Sequence, residues 1–130
     1  MNVKPDNAIR IPTSDSISFF KYWFKFLAPF HNLTEREIDI IACFVKHRYE
    51  LSKVIKDVKI LDKVTMSKDT QLKIQEECKI SLAHFQVILG KLRKNKVIVN
   101  DRINPRFIPN IQEDADSCKL LLIFELKNDK

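Results

Sequence analysis

The sequence predicts a mainly α-helical domain with a small β element toward its carboxyl end and one extra, aromatic helix at its front. Three observations lead there. Apolar residues recur at helical spacing in several successive segments, most cleanly in LAHFQVILGKLRKN. KVIV followed by Asn100-Asp101 reads as a strand running into a turn. The stretch FFKYWFKFLAPF, residues 19–30, holds seven of the twelve aromatic side chains. A chain of 130 residues is the size of one domain around one core. Residues 16–130 are therefore expected to fold as a single unit behind a flexible arm, residues 1–15, which carries Pro5, Pro12 and no sustained period.

Taken in order, Ser14 to Ser18 offer capping residues for a first helix expected to run to about Ala28 and stop where Pro29 lacks its N–H. LTEREIDII then carries a capping box: Thr34 can take the amide of Glu37 while that carboxylate returns to the amide of Thr34. Leu33 and Ile38 flank it as a hydrophobic staple, and Ile38, Ile41, Ala42, Val45 and Tyr49 form a core stripe. Ile40 and Phe44 fall on another side and require a second cover. LSKVIKDVKILDKVTM is apolar at 54, 55, 58 and 61, which fits either a continuation of that helix or a short separate one. Ser67 precedes KDTQLKIQEEC, a helix expected to turn Leu72 and Cys78 inward. After KIS, Ser81 caps a helix with Leu82, Phe85, Ile88, Leu89 and Leu92 on its inner face. RINPRFIP reads as an extended piece broken by two prolines, Glu113, Asp114 and Asp116 as a loop, and KLLLIFEL as a final strand.

Composition excludes several functions. With Gly90 as the sole glycine, no Walker loop or dinucleotide fingerprint is available, since both need backbone with positive φ or close approach to phosphate. Cys43, Cys78 and Cys118 are odd in number, widely spaced and outside any CxxC pair, which argues against a disulfide framework or zinc ribbon and suits a reducing cytoplasm. The first residues contain no apolar run, so no secretory signal is expected. No stretch approaches the roughly twenty apolar residues that span a bilayer, and two lysines in a narrow arc are too few for an interfacial helix. No membrane partner is expected. His31, His47 and His84 are dispersed and no nucleophile motif surrounds a Ser, Cys or carboxylate, so neither an enzyme nor a cofactor is expected. Cys43 and His47, four apart on one helix, supply half a metal site without a second half at ligand spacing, and no metal is expected.

The net charge of +6 is local. Residues 86–110 hold Lys91, Arg93, Lys94, Lys96, Arg102 and Arg106 against Asp101 alone, while the remainder is nearly balanced. Such a window fits a polyanionic partner or, more blandly, a solubility patch.

The run SKDTQLKIQEECKISLAHFQVILGKLRKNKVIV resembles a winged helix-turn-helix domain: a short helix, a turn ending in a serine cap, a second helix closing on basic LRKNK, and strands beyond. With LTEREIDIIACFVKHR as the preceding helix, the resemblance covers about residues 33–126. The chain is also similar to small winged-helix proteins of phages and plasmid replication systems. That likeness implies double-stranded DNA as partner, with the helix after Ser81 lying in the major groove. Ala83, Gln86, Val87, Gly90, Lys91 and Lys94 then face outward at about 100° per residue. Gln86 would pair with adenine, Ser81 or His84 would reach a phosphate or neighbouring base, and Gly90 would let the backbone sit close. Lys91, Arg93, Lys94 and Lys96, extended by Arg102 and Arg106 in the wing, would neutralise phosphates. The function implied is a small transcription or replication factor in the cytoplasm, the host's if phage-encoded; the alternative is a phage structural or assembly protein, present in the virion, using the fold as an adaptor.

The aromatic helix fits neither a membrane nor the minimal fold. Ile17, Phe19, Phe20, Tyr22, Trp23, Phe24, Phe26 and Leu27 fill well over half its circumference, more than one side of a small domain covers. Phe19, Phe20, Trp23 and Phe24 are the expected interface to a second copy or another protein; burial of the whole stripe in the chain's own core is the plainer alternative.

Overall fold

The computed structural model describes residues 16–111 together with Cys118, Glu125 and Leu126. The expected arm at 1–15, the acidic loop at Glu113, Asp114 and Asp116, and the KLLLIFEL strand, save its last two residues, lie outside the described residues. The chain is mainly helical: α1 (Ser16–Phe26), α2 (Ala28–His31), α3 (Glu35–Ser52), α4 (Val58–Thr65), α5 (Lys68–Cys78) and α6 (Leu82–Lys94). A two-stranded antiparallel sheet follows, β1 (Ile98–Val99) with β2 (Arg102–Ile103), and then a 3-10 turn at Pro105–Phe107. Among the described residues no helix is long and apolar enough to cross a membrane.

α3 is the axis on which the rest is hung. Its capping box forms as expected: Thr34 Oγ1 accepts from Glu37 N–H at 3.3 Å and Glu37 Oε1 accepts from Thr34 N–H at 2.9 Å. Satisfying those end donors is worth about 1 kcal/mol. From Ile38 to Val45 every residue except Asp39 is buried, so the second cover that Ile40 and Phe44 require exists. It is supplied by α1, α4, α5 and α6, all packed on α3. Phe44 stacks on Phe85 of α6 at a centroid distance of 6.1 Å. The outer edges are tied by charge: Lys21 of α1 meets Asp39 at 3.5 Å, and Arg48 Nε donates to Asp62 of α4 at 3.0 Å.

The amino-terminal helix departs from expectation at its end. α1 stops at Phe26, and Pro29 sits in the first turn of a second short helix, where its missing N–H is no loss. That helix delivers His31 into the core. Its Nε2 donates to Phe24 O at 2.7 Å and its Nδ1 accepts from Leu33 N–H at 3.0 Å, so both ring nitrogens of this buried side chain are satisfied. Phe24, His31 and Phe107 form one ring cluster, and Trp23 Nε1 donates to Phe107 O at 2.8 Å. The carboxyl end of the helical body is thereby fastened to the aromatic helix.

Of the two forms open to residues 51–66, the short separate helix is the one present: 51 and 52 end α3, a turn follows, and α4 is started by Asp57 accepting from the amides of Lys59 and Ile60. Of its apolar positions Leu61 is buried while Val54 and Val58 are exposed. Two further expectations are corrected. In α5 the inward positions are Thr70 and Ile74, with Cys78 half-buried, because four-residue steps from Thr70 keep one face; Leu72 lies across the helix and is exposed. Leu82 is exposed as well, being the first residue of α6 and at the rim of its apolar stripe.

Candidate nucleic-acid interface

The surface in question is built by a turn, a helix and a hairpin. Lys79 ends α5 in the left-handed region at φ 52. A non-glycine residue there costs about 1 kcal/mol. The turn closes with Lys79 N–H on Glu76 O, Ile80 N–H on Gln75 O, and Gln75 Nε2 on Ile80 O. Ile80 tucks against the core, and Ser81 Oγ accepts from His84 N–H at 3.1 Å, starting α6. Its hydroxyl is thus already engaged as a cap.

α6 buries Phe85, Ile88, Leu89 and Leu92 and exposes Ala83, His84, Gln86, Val87, Gly90, Lys91, Arg93 and Lys94. At about 100° per residue the exposed set spans roughly half the circumference, and thirteen residues make a helix about 20 Å long. All six outward positions expected from the sequence are therefore in solvent, with Leu82 and Arg93 widening that face. Neither Gln86 nor Lys91 is covered by another described part of the chain.

Beyond α6 the chain turns at once. Asn95 Nδ2 donates to His31 O at 2.9 Å, pinning the end of the helix to the aromatic core, and Lys96 takes φ 60. Ile98 pairs with Ile103 and both are buried; Val99 pairs with Arg102, which is exposed. Asn100 and Asp101 each have positive φ, the requirement of a two-residue hairpin of the I′ kind, which asparagine and aspartate tolerate better than most. RINPRFIP is not extended throughout: after β2, Asn104 caps the 3-10 turn and buries Phe107, leaving Arg106 exposed.

Lys91, Arg93, Lys94, Lys96, Arg102 and Arg106 are all exposed, and none forms an ion pair with a described residue. Several acids of the helical body are paired elsewhere: Asp39 with Lys21 and Arg36, Glu50 with Lys46, Asp62 with Arg48, Glu77 with His47. Among the described residues no ion pair neutralises the positive charge around the end of α6.

The aromatic helix distributes its rings differently from the expectation. Phe20 and Phe24 are core residues, and Phe19 and Trp23 pack partly against that core, so the first two are not offered to a partner. Ile17, Phe20, Phe24 and Leu27 follow three- and four-residue steps, which is the signal that would have placed them against α3. The exposed rings are Tyr22, Phe26 and Phe30 at 46%, 51% and 62%.

Among the described residues no group of three or more His, Cys, Asp or Glu side chains is placed to hold a metal ion. His47 Nε2 instead meets Glu77 Oε1 at 2.9 Å, and Cys43 meets Cys78. Compared with protein families, with curated proteins and with solved structures, the chain has no match.

Proposed function

We propose that this chain is a winged helix-turn-helix protein that binds double-stranded DNA, with α5 and α6 as the helix pair, α6 in the major groove and the β1–β2 hairpin as a short wing. The observation that carries this reading is the outer face of α6, a half-circumference of Gln86, His84, Val87, small residues and cations that nothing in the described chain covers and no described acid pairs with. Backbone phosphates supply affinity to such a face through Lys91, Arg93, Lys94, Lys96, Arg102 and Arg106; Gln86 supplies base discrimination by pairing with adenine N6 and N7. Small side chains at Ala83 and Gly90 leave room for close approach. The role that goes with it is that of a small transcription or replication factor of phage or mobile-element kind.

Three exposed rings, Tyr22, Phe26 and Phe30, favour a second reading, in which the aromatic helix docks on another protein and the winged helix is a rigid adaptor. The two differ in their response to salt. Titrating binding to random and genomic duplex from about 50 to 200 mM salt, the DNA reading expects log K to fall linearly with log salt, by about 0.9 per phosphate contact and thus with a slope of roughly −5 for the six cations. A chain that holds no duplex at the low-salt end is not a DNA-binding protein.

A further inference from the structure

We infer that Cys43 and Cys78 form a hydroperoxide-sensitive dithiol, a modification site whose oxidation to an intrachain disulfide ties the middle of α3 to the last residue of α5. The two sulfurs come from positions 35 apart in sequence and lie 3.5 Å from each other. A disulfide needs about 2.05 Å, so closing it takes a shift of roughly 1.5 Å between two helices already packed together.

The pair is asymmetric. Cys43 is buried, whereas Cys78 is half-exposed at the helix end. Arg36 reaches across from α3 and its Nη2 donates to Cys78 O at 2.7 Å. The hydrogen bond from Cys43, and after it the Arg36 charge, hold the Cys78 thiol below its ordinary value, against desolvation and the carboxylates of Glu77 and Asp39. The same hydrogen bond, with burial, pushes Cys43 up. Cys78 is the sulfur that solvent reaches and that the Arg36 guanidinium lies beside, and it is assigned the attacking thiolate on that geometry.

The chemistry balances with a hydroperoxide as oxidant. The Cys78 thiolate attacks the distal peroxide oxygen; the O–O bond breaks, a proton is taken up, and an alcohol or water leaves, giving the sulfenic acid at Cys78. The Cys43 sulfur then attacks the Cys78 sulfur, the S–O bond breaks, and the hydroxyl departs as water with the Cys43 proton. Two thiols and one peroxide become one disulfide, one alcohol or water, and one water. His47 and Glu77 meet each other and not the sulfurs, and among the described residues no group of side chains is placed to hold a metal ion. The cross-link closes a loop containing α4 and nearly all of α5, and it lands one residue before the turn at Lys79. This inference is independent of the nucleic-acid reading.

The test uses the full chain carrying Cys118→Ser, so that the third thiol cannot mispair, reduced and then titrated with hydrogen peroxide. Expected are a mass lower by two hydrogen atoms, a non-reduced peptide map joining Cys43 to Cys78, reversal by dithiothreitol, and a Tm higher by roughly 10 °C in the oxidised form. Adding Cys78→Ser should abolish the mass change and leave Cys43 unmodified; adding Cys43→Ser should leave Cys78 as a sulfenic acid that dimedone traps. Cross-linked dimers, a sulfinic acid at Cys78 while Cys43 stays reduced, no reaction at all, or a purified chain that holds stoichiometric zinc would each overturn the assignment.

Discussion

Both α3 and α6 start on a hydroxyl cap, Thr34 and Ser81, but α3 sinks into the protein while α6 keeps one half of its circumference in water. The seven buried residues of α3 between Ile38 and Val45 point in every direction around the helix; the four of α6 form one stripe. The difference follows from their neighbours. α3 is packed by α1, α4, α5 and α6, whereas α6 packs on α3 and runs into β1. Residues all around α3 are therefore committed to stability, and only one side of α6 is. The opposite side of α6 is free to be chosen for something else, and what occupies it is Gln86, His84, the small residues Ala83 and Gly90, Val87 and the cations Lys91, Arg93 and Lys94.

The comparison is tested most severely on the buried helix. Phe44→Ala removes a ring with no measurable exposure, stacked on Phe85 and closed in on all sides. It should cost about 3–5 kcal/mol, the loss of transferred area plus the cavity that cannot collapse. Urea denaturation monitored by Trp23 fluorescence measures it. A cost below about 1 kcal/mol would mean that α3 is not the axis of the core.

The complementary change is made on the outer face of α6. Lys91→Glu with Lys94→Glu reverses two charges that meet no described acid. Each new carboxylate near the helix end opposes the macrodipole, which costs about 0.3–1 kcal/mol apiece, so the fold should survive. Duplex affinity should fall by more than about a hundredfold, with a shallower salt slope, because two phosphate contacts are lost and replaced by repulsion. Unchanged duplex binding in a folded double variant would sever α6 from any role with DNA.

How much of this was legible beforehand follows the range of the interactions. The capping box at Thr34 and Glu37, the Asn100-Asp101 turn and the inner stripe of α6 from Phe85 to Leu92 are set by residues within a few positions of one another, and each stands where the pattern puts it. The rings of α1 were harder because aromatic residues crowd more than half of its circumference, and the three- and four-residue steps of Ile17, Phe20, Phe24 and Leu27 are masked by the rings between them. Phe20 and Phe24 went inward and Tyr22 and Phe26 did not. In α5, Leu72 outranks Thr70 in hydrophobicity, yet geometry favours the Thr70, Ile74 and Cys78 side. The meeting of Cys43 with Cys78, of His47 with Glu77 and of Arg36 with the end of α5 depends on how two helices cross, which no local spacing encodes. Of the candidate interface, the exposure of Gln86 and Lys91 was legible and the lack of ion pairs between its cations and the described acids was not, since it depends on where each of those carboxylates goes.

The smallest change separates stability from binding at a single position. Gly90 lies inside α6 on the exposed side, and a methyl group added there would touch nothing within 4 Å. In an exposed helix interior glycine is about 0.8–1 kcal/mol worse than alanine, since it has more backbone freedom to lose. Gly90→Ala should accordingly raise Tm by roughly 3–5 °C. If the α6 backbone sits against DNA at this point, the same methyl group occupies the space of the approach, and duplex affinity should fall while the fold becomes more stable. Opposite signs from one methyl group are hard to obtain unless the two properties are set by opposite sides of the helix. A stabilised variant that binds duplex as tightly as before would place the closest approach elsewhere on α6, nearer Ala83 and Gln86, and would leave Gly90 as an ordinary weak point in the helix.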